Sequence, residues 1–312
     1  MSATTQPGAV SPPPVRGRTR RLRHGVPVEP IGLRLLKGLA LLVLCAVVVL
    51  PFVGVLATSL AGREQIAQSG GLVLWPSQPT LEAYRSIFAG GVVTQALQVS
   101  LVVTIGGTLL SLAATCLVAY ALAQRELFGK KVILMIFLIS MLFSPGMIPT
   151  YLTVRQVGLL DSLWALILPT MVSAFNVVVM RAFFMNLPSE LTESAQIDGA
   201  SEFRVFTRIV LPLSKAVLAV IGLFYAVGYW NAFFNALLYI NDATKWPMQL
   251  VLRTYVVNDV QMGSAELGSE VVPPQPAIQM AILVISIVPI LIIYPFLQKH
   301  FAKGVLTGAV KG

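Results

Sequence analysis

Six stretches of the chain are long, apolar and free of Asp, Glu, Lys, Arg and His: 38–60, 94–124, 132–154, 163–180, 216–240 and 277–298. A helix crossing the hydrocarbon of a bilayer needs about 20 mostly apolar residues, and each stretch meets or nearly meets that length. Lipid offers no partner to a bare peptide group, so only helices and closed barrels span it. No period-2 alternation runs through these stretches, which excludes the barrel. An all-α membrane protein with six transmembrane helices is expected. Only 11% of the residues are charged, against about a quarter in soluble domains.

Lysine and arginine set the orientation. Arg16, Arg18, Arg20, Arg21, Arg23, Arg34 and Lys37 precede the first stretch. Arg125, Lys130, Lys131, Arg181, Arg204, Arg208, Lys215, Lys299, Lys303 and Lys311 fall in the even-numbered loops and the tail. The other side carries only Arg63, Arg85, Arg155, Lys245 and Arg253. Both termini are therefore expected in the cytoplasm. The formal net charge of +9 is a topology signal on this reading, and no nucleic-acid partner is expected.

The first 37 residues are basic and rich in proline and glycine, the composition of a disordered arm. The first apolar run exceeds the 7–15 residues of a signal-peptide core, so it reads as an uncleaved span of the 38–298 membrane domain. Cys45 and Cys116 fall inside spans and read as small buried hydrophobes; no metal site is expected.

Gradient-driven carriers and voltage sensors usually keep an ionisable group at membrane depth, because that group carries the coupling. The six stretches hold no Asp, Glu, Lys, Arg or His. Na⁺-coupled carriers can work with carbonyls and hydroxyls, so a stand-alone secondary carrier or channel is weakened without being removed. No phosphate-binding loop is present: "FGKK" at 128–131 lacks the first glycine and the Ser/Thr of that motif. No zinc-ligand or catalytic-triad spacing appears, and the chain is not expected to be an enzyme. Uphill transport would need energy from another subunit.

One predicted cytoplasmic segment, 188–213, stands apart from its greasy surroundings. Its core reads "ESAQIDGASEFRVFTRIVLP". Ser189 is a candidate N-cap, and Glu190 and Glu193 suit a helix N-terminus. Gly199 can take the left-handed conformation that ends a helix. In the second half, Phe203, Phe206 and Val210 form one apolar stripe at helical spacing, with Arg204 and Arg208 on another face. Pro212 should break the run before the fifth span. Two short helices at an angle result, suited either to lying at lipid headgroups or to docking in a cleft of a cytoplasmic partner.

Glu193-Ser194-Ala195, three residues, Gly199, nine residues, then Ile209-Val210-Leu211-Pro212 resembles the "EAA" loop of permease subunits of bacterial ABC importers, E-A-A-x3-G-x9-I-x-L-P. Ser194 is the single departure. The resemblance implies the type I ABC importer permease fold and a coupling helix seated on an ATPase subunit, with Glu193, Ala195 and Gly199 at its core and Leu211 and Pro212 closing it. By physical reasoning, Phe203, Arg204, Phe206 and Arg208 would be its contact surface. The partners implied are a second similar permease, two ATPase subunits and an extracytoplasmic sugar-binding protein. ATP and Mg would be used by the ATPases, with no cofactor held by this chain.

"WPSQPTLEAY", "AYALAQRELFGKK", "YWNAFF" and the ending "YPFLQKHFAKGVLTGAVKG" extend the resemblance to sugar-importer permeases. The ending is similar to the second permease of maltose-type transporters, in the branch labelled LplC/YtcP and tied to complex oligosaccharides. That likeness implies a second ATPase contact in the 299–312 tail and just before it, at Gln298, Lys303, Gly304, Gly308 and Lys311.

Sugars are bound by amides and aromatic faces, and polar residues inside spans tend to face the bundle interior. Asn176, Tyr229, Trp230, Asn231 and Asn235 are the candidate substrate path, with interhelical hydrogen bonding as the plainer role. Gly228, Asn231 and Asn235 would share one helix face. Pro145 and Pro149 should kink the third span. The connection 241–276 is long for a compact bundle, and loops beyond about 12–15 residues are usually functional; the resemblance implies a probe of the binding protein's cleft.

The reading is a permease subunit of a binding-protein-dependent ABC importer of sugars, most simply oligosaccharides, in the bacterial inner membrane. The alternatives are a secondary carrier or channel, and an importer of the same machinery carrying another solute such as phosphate, peptide or polyamine.

Overall fold

The computed structural model describes residues 22–23, 26–27, 31–124 and 126–309, with side chains from 31 to 124 and from 126 to 295. The chain divides into two units, Met1–Phe52 and Val53–Gly312. In the first, β1 (Leu22–Arg23) pairs antiparallel with β2 (Val26–Pro27). Helix α1 (Ile31–Ser59) begins there and runs into the second unit. Every described side chain of 31–52 is exposed within the chain, as expected of a helix solvated by lipid. The arm expected over 1–37 thus gives way to helix at Ile31, and its remainder lies mostly outside the described residues.

The second unit is built on α4 (Val92–Ala123), preceded by the short helices α2 (Arg63–Ser69) and α3 (Glu82–Ile87). At 1.5 Å per residue, α4 is about 48 Å long, enough to cross a bilayer unaided. Its buried face recurs every three or four positions and is mostly small: Ala96, Ser100, Thr104, Gly107, Ser111, Thr115 and Ala119. Small residues let helices approach closely where lipid supplies no hydrophobic drive between them.

The third predicted span is divided. Helix α5 (Lys130–Leu142) ends before Pro145, and α6 (Met147–Gln156) restarts after Gly146, whose φ of +83° few other residues adopt. The fourth is bent by 53° between α7 (Trp164–Ile167), extended by a 3₁₀ turn to Thr170, and α8 (Ala174–Met185). Helix α9 (Ser189–Ile197) follows. Next, α10 (Glu202–Val205), a π-turn (Phe206–Val210) and α11 (Leu211–Leu213) form one run that meets α12 (Lys215–Trp230) at 83°. Helix α13 (Phe233–Tyr239) completes the fifth stretch. Among the described residues, three helices are long and apolar enough to cross a membrane alone, or up to five if each bent pair counts as one span. Six uninterrupted spans are not found among the described residues, because proline, glycine and helix ends break the third, fourth and fifth.

The stretch 241–276 is mostly structured. It holds a 3₁₀ turn (Ala243–Lys245), α14 (Met248–Leu252) with a π-turn (Arg253–Val257), and α15 (Ser264–Leu267). Gln275 grips the backbone of Met262 through both amide atoms, and Gln279 bonds Asp259 at 2.6 Å. A Cβ at Gly91 would collide with the Glu266 carbonyl, so α15 rests directly on the start of α4. Helix α16 (Gln275–Ala309) ends the described chain. Two cores result: one of α4, α6–α8, α10, the π-turn, α12 and α13, the other of α2, α3, α14–α16 and the start of α4.

Candidate functional site

The polar segment forms a knob at the predicted cytoplasmic end. Helix α9 stops at Gly199, whose φ is +79°. The Gly199 N–H bonds the Gln196 carbonyl at 3.0 Å and the Ala200 N–H bonds the Ala195 carbonyl at 2.9 Å. This pair of reverse bonds satisfies two otherwise orphaned carbonyls. The N-cap is Pro188 with no side-chain bond, and Ser189 is the first helical residue, a correction to the expected cap.

Across the knob the side chains divide. Glu193, Arg204, Arg208 and Pro212 are exposed, and Ala195 and Leu211 are half-buried. Ile197 is 86% and Phe203 71% exposed, although both are large and apolar. Phe206 is only 6% exposed. Its ring centre lies 4.8 Å from that of Tyr120 on α4. The expected stripe of Phe203 with Phe206 is therefore split, and Phe206 belongs to the bundle. The π-turn starting at Phe206 shifts the register, with the Leu211 N–H reaching back to the Phe206 carbonyl. Pro212, which has no N–H to give, is accommodated one turn later, and the break falls at Ser214 instead.

A carboxylate outside the predicted set ties the knob together. Glu202 accepts the Gln196 side-chain amide at 2.6 Å and the Tyr120 hydroxyl at 2.8 Å. Of the predicted tail contacts, Gln298, Lys303, Gly304 and Gly308 lie on α16 where only backbone is described, and Lys311 lies outside the described residues.

A cavity of about 460 Å³ opens at the bend of the fourth stretch, between Thr170, Ser173, Phe175 and Asn176 on one side and Phe224, Tyr225, Gly228, Tyr229, Ala232 and Asn235 on the other. Three of the five predicted path residues meet here: Asn176, Tyr229 and Asn235. The Tyr229 hydroxyl pairs with Ser111 at 2.7 Å, and the Tyr225 hydroxyl pairs with Thr115 at 2.7 Å while accepting the Ser173 N–H at 3.0 Å. Both hydroxyls are thus engaged in holding helices, while the rings face each other with centres 6.5 Å apart. The side-chain amides of Asn176 and Asn235 have no hydrogen-bond partner among the described residues.

The other two residues are elsewhere. Trp230 is buried and donates to the Ser286 carbonyl of α16 at 3.1 Å, beside a second, apolar cavity. Asn231 caps α12, is exposed, and donates to the Val227 carbonyl at 3.0 Å. The helix ends at Trp230, so the face expected to unite Asn231 with Gly228 and Asn235 is interrupted. At the opposite end from the knob, the carboxylate of Asp161 accepts the backbone N–H of Asn241 at 2.5 Å and of Asp242 at 3.0 Å. These N–H donors hold its carboxyl below the ordinary value of 3.8.

Residues 117–307, which include the knob and the cavity, match the family described as binding-protein-dependent transport system inner membrane components. The chain belongs to this family. It is 47% identical over 274 residues to the polygalacturonan/rhamnogalacturonan transport system permease protein YtcP of Bacillus subtilis, across 87% of this chain and 96% of that one. Its identity to protein LplC of the same organism is 48% over 268 residues, across 86% and 90% of the two chains. A solved bacterial ABC transporter involved in the import of the acidic polysaccharide alginate superposes with a TM-score of 0.79 at 27% identity, over 88% of this chain and 100% of that one. The fold is therefore that of a type I ABC importer permease, as the loop pattern implied.

Proposed function

We propose that this chain is the permease half of an inner-membrane importer of oligosaccharides, moved by ATP hydrolysis in two separate ATPase subunits. A second permease completes the pathway, and an extracytoplasmic binding protein delivers the sugar. Both termini and the α9–α11 knob lie in the cytoplasm, following the lysine and arginine bias. The chain performs no catalysis itself and binds no cofactor; ATP and Mg belong to the ATPases.

The observation that carries the reading is the knob's apolar side chains, Ile197 and Phe203, exposed on a segment that also carries Glu190, Glu193, Asp198, Glu202, Arg204 and Arg208. Exposed aromatic anchors ringed by charge suit a protein groove. Glu193, Ala195 and Gly199 shape the knob, Phe203, Arg204 and Arg208 contact the ATPase, and the end of α16 with the tail adds a second contact. In the cavity, aromatic rings and two unpaired amides match the alternating CH faces and hydroxyls of a sugar. The polygalacturonan/rhamnogalacturonan and alginate handled by two similar transporters extend this to uronate-bearing oligosaccharides. The structured stretch 241–276 faces the binding protein.

The test is reconstitution in liposomes with and without the partner subunits. Uptake of oligogalacturonides requiring all subunits supports the proposal; accumulation by this chain alone removes it. Gly199→Val or Glu193→Lys should leave the chain inserted but lower substrate-stimulated ATP hydrolysis. Unaltered stimulation would instead favour a helix lying at the headgroups.

A further inference from the structure

We infer that Glu202 is a positioning residue that carries movement of the knob into α4, and through α4 to the tyrosines of the cavity; the inference rests on the importer reading above. Among the described residues, Glu202 is the one side chain hydrogen-bonded to both α9 and α4. One carboxylate oxygen accepts Gln196 of α9 at 2.6 Å, and the other accepts Tyr120 in the last turn of α4 at 2.8 Å. Bonds to an ionised acceptor are roughly twice as strong as neutral ones. Tyr120 cannot simply swing aside, because Phe206 lies against its ring at 4.8 Å and Phe184 meets it edge-on at 6.3 Å.

Beyond Tyr120 the link continues along one rigid element. Helix α4 is unbroken from Val92 to Ala123 and holds no proline. Thr115 and Ser111, on its buried face, bond the hydroxyls of Tyr225 and Tyr229, each at 2.7 Å. Those tyrosines line the cavity, and Tyr225 also holds the backbone of Ser173 where α8 begins. A shift of α4 therefore moves two cavity walls together. The direct covalent route is a poorer lever. Between the run ending at Leu213 and α12 the chain turns by 83°, and a joint of that kind absorbs displacement in its dihedral angles. Coupling of this kind is read directly from stimulated hydrolysis.

The assembled complex in nanodiscs, with its ATPases, second permease and binding protein, is assayed for ATP hydrolysis with and without short oligogalacturonides. Glu202→Ala and Tyr120→Phe should each lower the ratio of stimulated to basal hydrolysis about five- to tenfold, with basal hydrolysis unchanged. The double variant should be no worse than the worse single one. Glu202→Gln should keep about half the ratio, since its carbonyl still accepts from Gln196 and its amide can donate to the Tyr120 oxygen. An unchanged ratio in Glu202→Ala, losses that multiply in the double variant, or a parallel fall of basal and stimulated rates overturns the inference. A wild-type complex with no stimulation at all removes the importer reading, and this inference with it.

Discussion

The ring of Tyr229 occupies the space that Gly107 leaves on α4: a Cβ at 107 would lie 2.9 Å from two of its ring carbons. Neither element yields easily. Tyr229 is buried at 5% exposure and its hydroxyl is fixed by Ser111. Gly107→Ala is therefore expected to cost about 1–3 kcal/mol, the usual effect of overpacking, and to displace a cavity wall. Thermal unfolding of the detergent-solubilised chain checks the first effect, and uptake by the complex checks the second. A melting point equal to wild type would show that α4 and α12 are less tightly packed than described.

Asn176 and Asn235 approach the cavity from different elements, α8 and α13. Their amides lack protein partners among the described residues, so removing either should cost the fold little. Each Asn→Ala change should raise the KM for oligosaccharide about three- to tenfold, the value of one hydrogen bond of about 0.5–1.5 kcal/mol, with the melting point unmoved. Trp230→Phe should behave in the opposite way, since its N–H is spent on Ser286. An unchanged KM in both asparagine variants would take the sugar path away from this cavity.

The contrast between these residues marks how far the sequence was legible. Gly199 ends α9 in the left-handed region, as the position of a glycine after a short polar helix implied. That inference is local, and local patterns survive into the structure. Phe203 and Phe206 were grouped by helical spacing, yet Phe203 is exposed and Phe206 packs against Tyr120 of α4, a contact set by the fold and not by the local period. Asn231 was grouped with Asn235 in the same way, but α12 stops one residue earlier with neither glycine nor proline to announce it. Glu202 and Tyr120 are 82 residues apart, and no periodicity reports such a pair. Hydroxyls at Ser111 and Thr115, four apart inside a span, were the one available hint of bonds across α4.

Acidity should loosen the end of the molecule opposite the knob. Asp161 accepts the N–H of Asn241, then that of Asp242, then the Asn241 side chain, and these bonds depress its carboxyl below 3.8. A depressed value in the folded chain means that the bonds contribute fully above the unfolded value and are lost as pH falls through the lower, folded one. Protection of the Asn241 and Asp242 amides from hydrogen exchange, normalised to unfolded rates, should be flat from neutrality down to 3.8 and fall only below it. In Asp161→Ala the protection should be absent throughout. A decline starting near neutral pH would point to another group.

Phe203 and Phe206 separate docking from folding most cleanly. Phe206 fills the core between α4 and α8, against Tyr120 and near Val205 and Val210. Its replacement by alanine should cost about 3–5 kcal/mol of bundle stability, and ATPase binding should fail only as the fold fails. Phe203 is 71% exposed and contributes little to that core, so Phe203→Ala should move stability by no more than about 0.5 kcal/mol. An aromatic anchor seated in a partner's groove is worth about 2 kcal/mol or more, which predicts at least a tenfold weaker hold on the ATPase subunits. Thermal unfolding of the isolated chain and titration of ATPase onto the permease pair give the two readings independently. If Phe203→Ala leaves ATPase affinity intact, the exposed ring serves the lipid surface, and the knob docks through its charges alone.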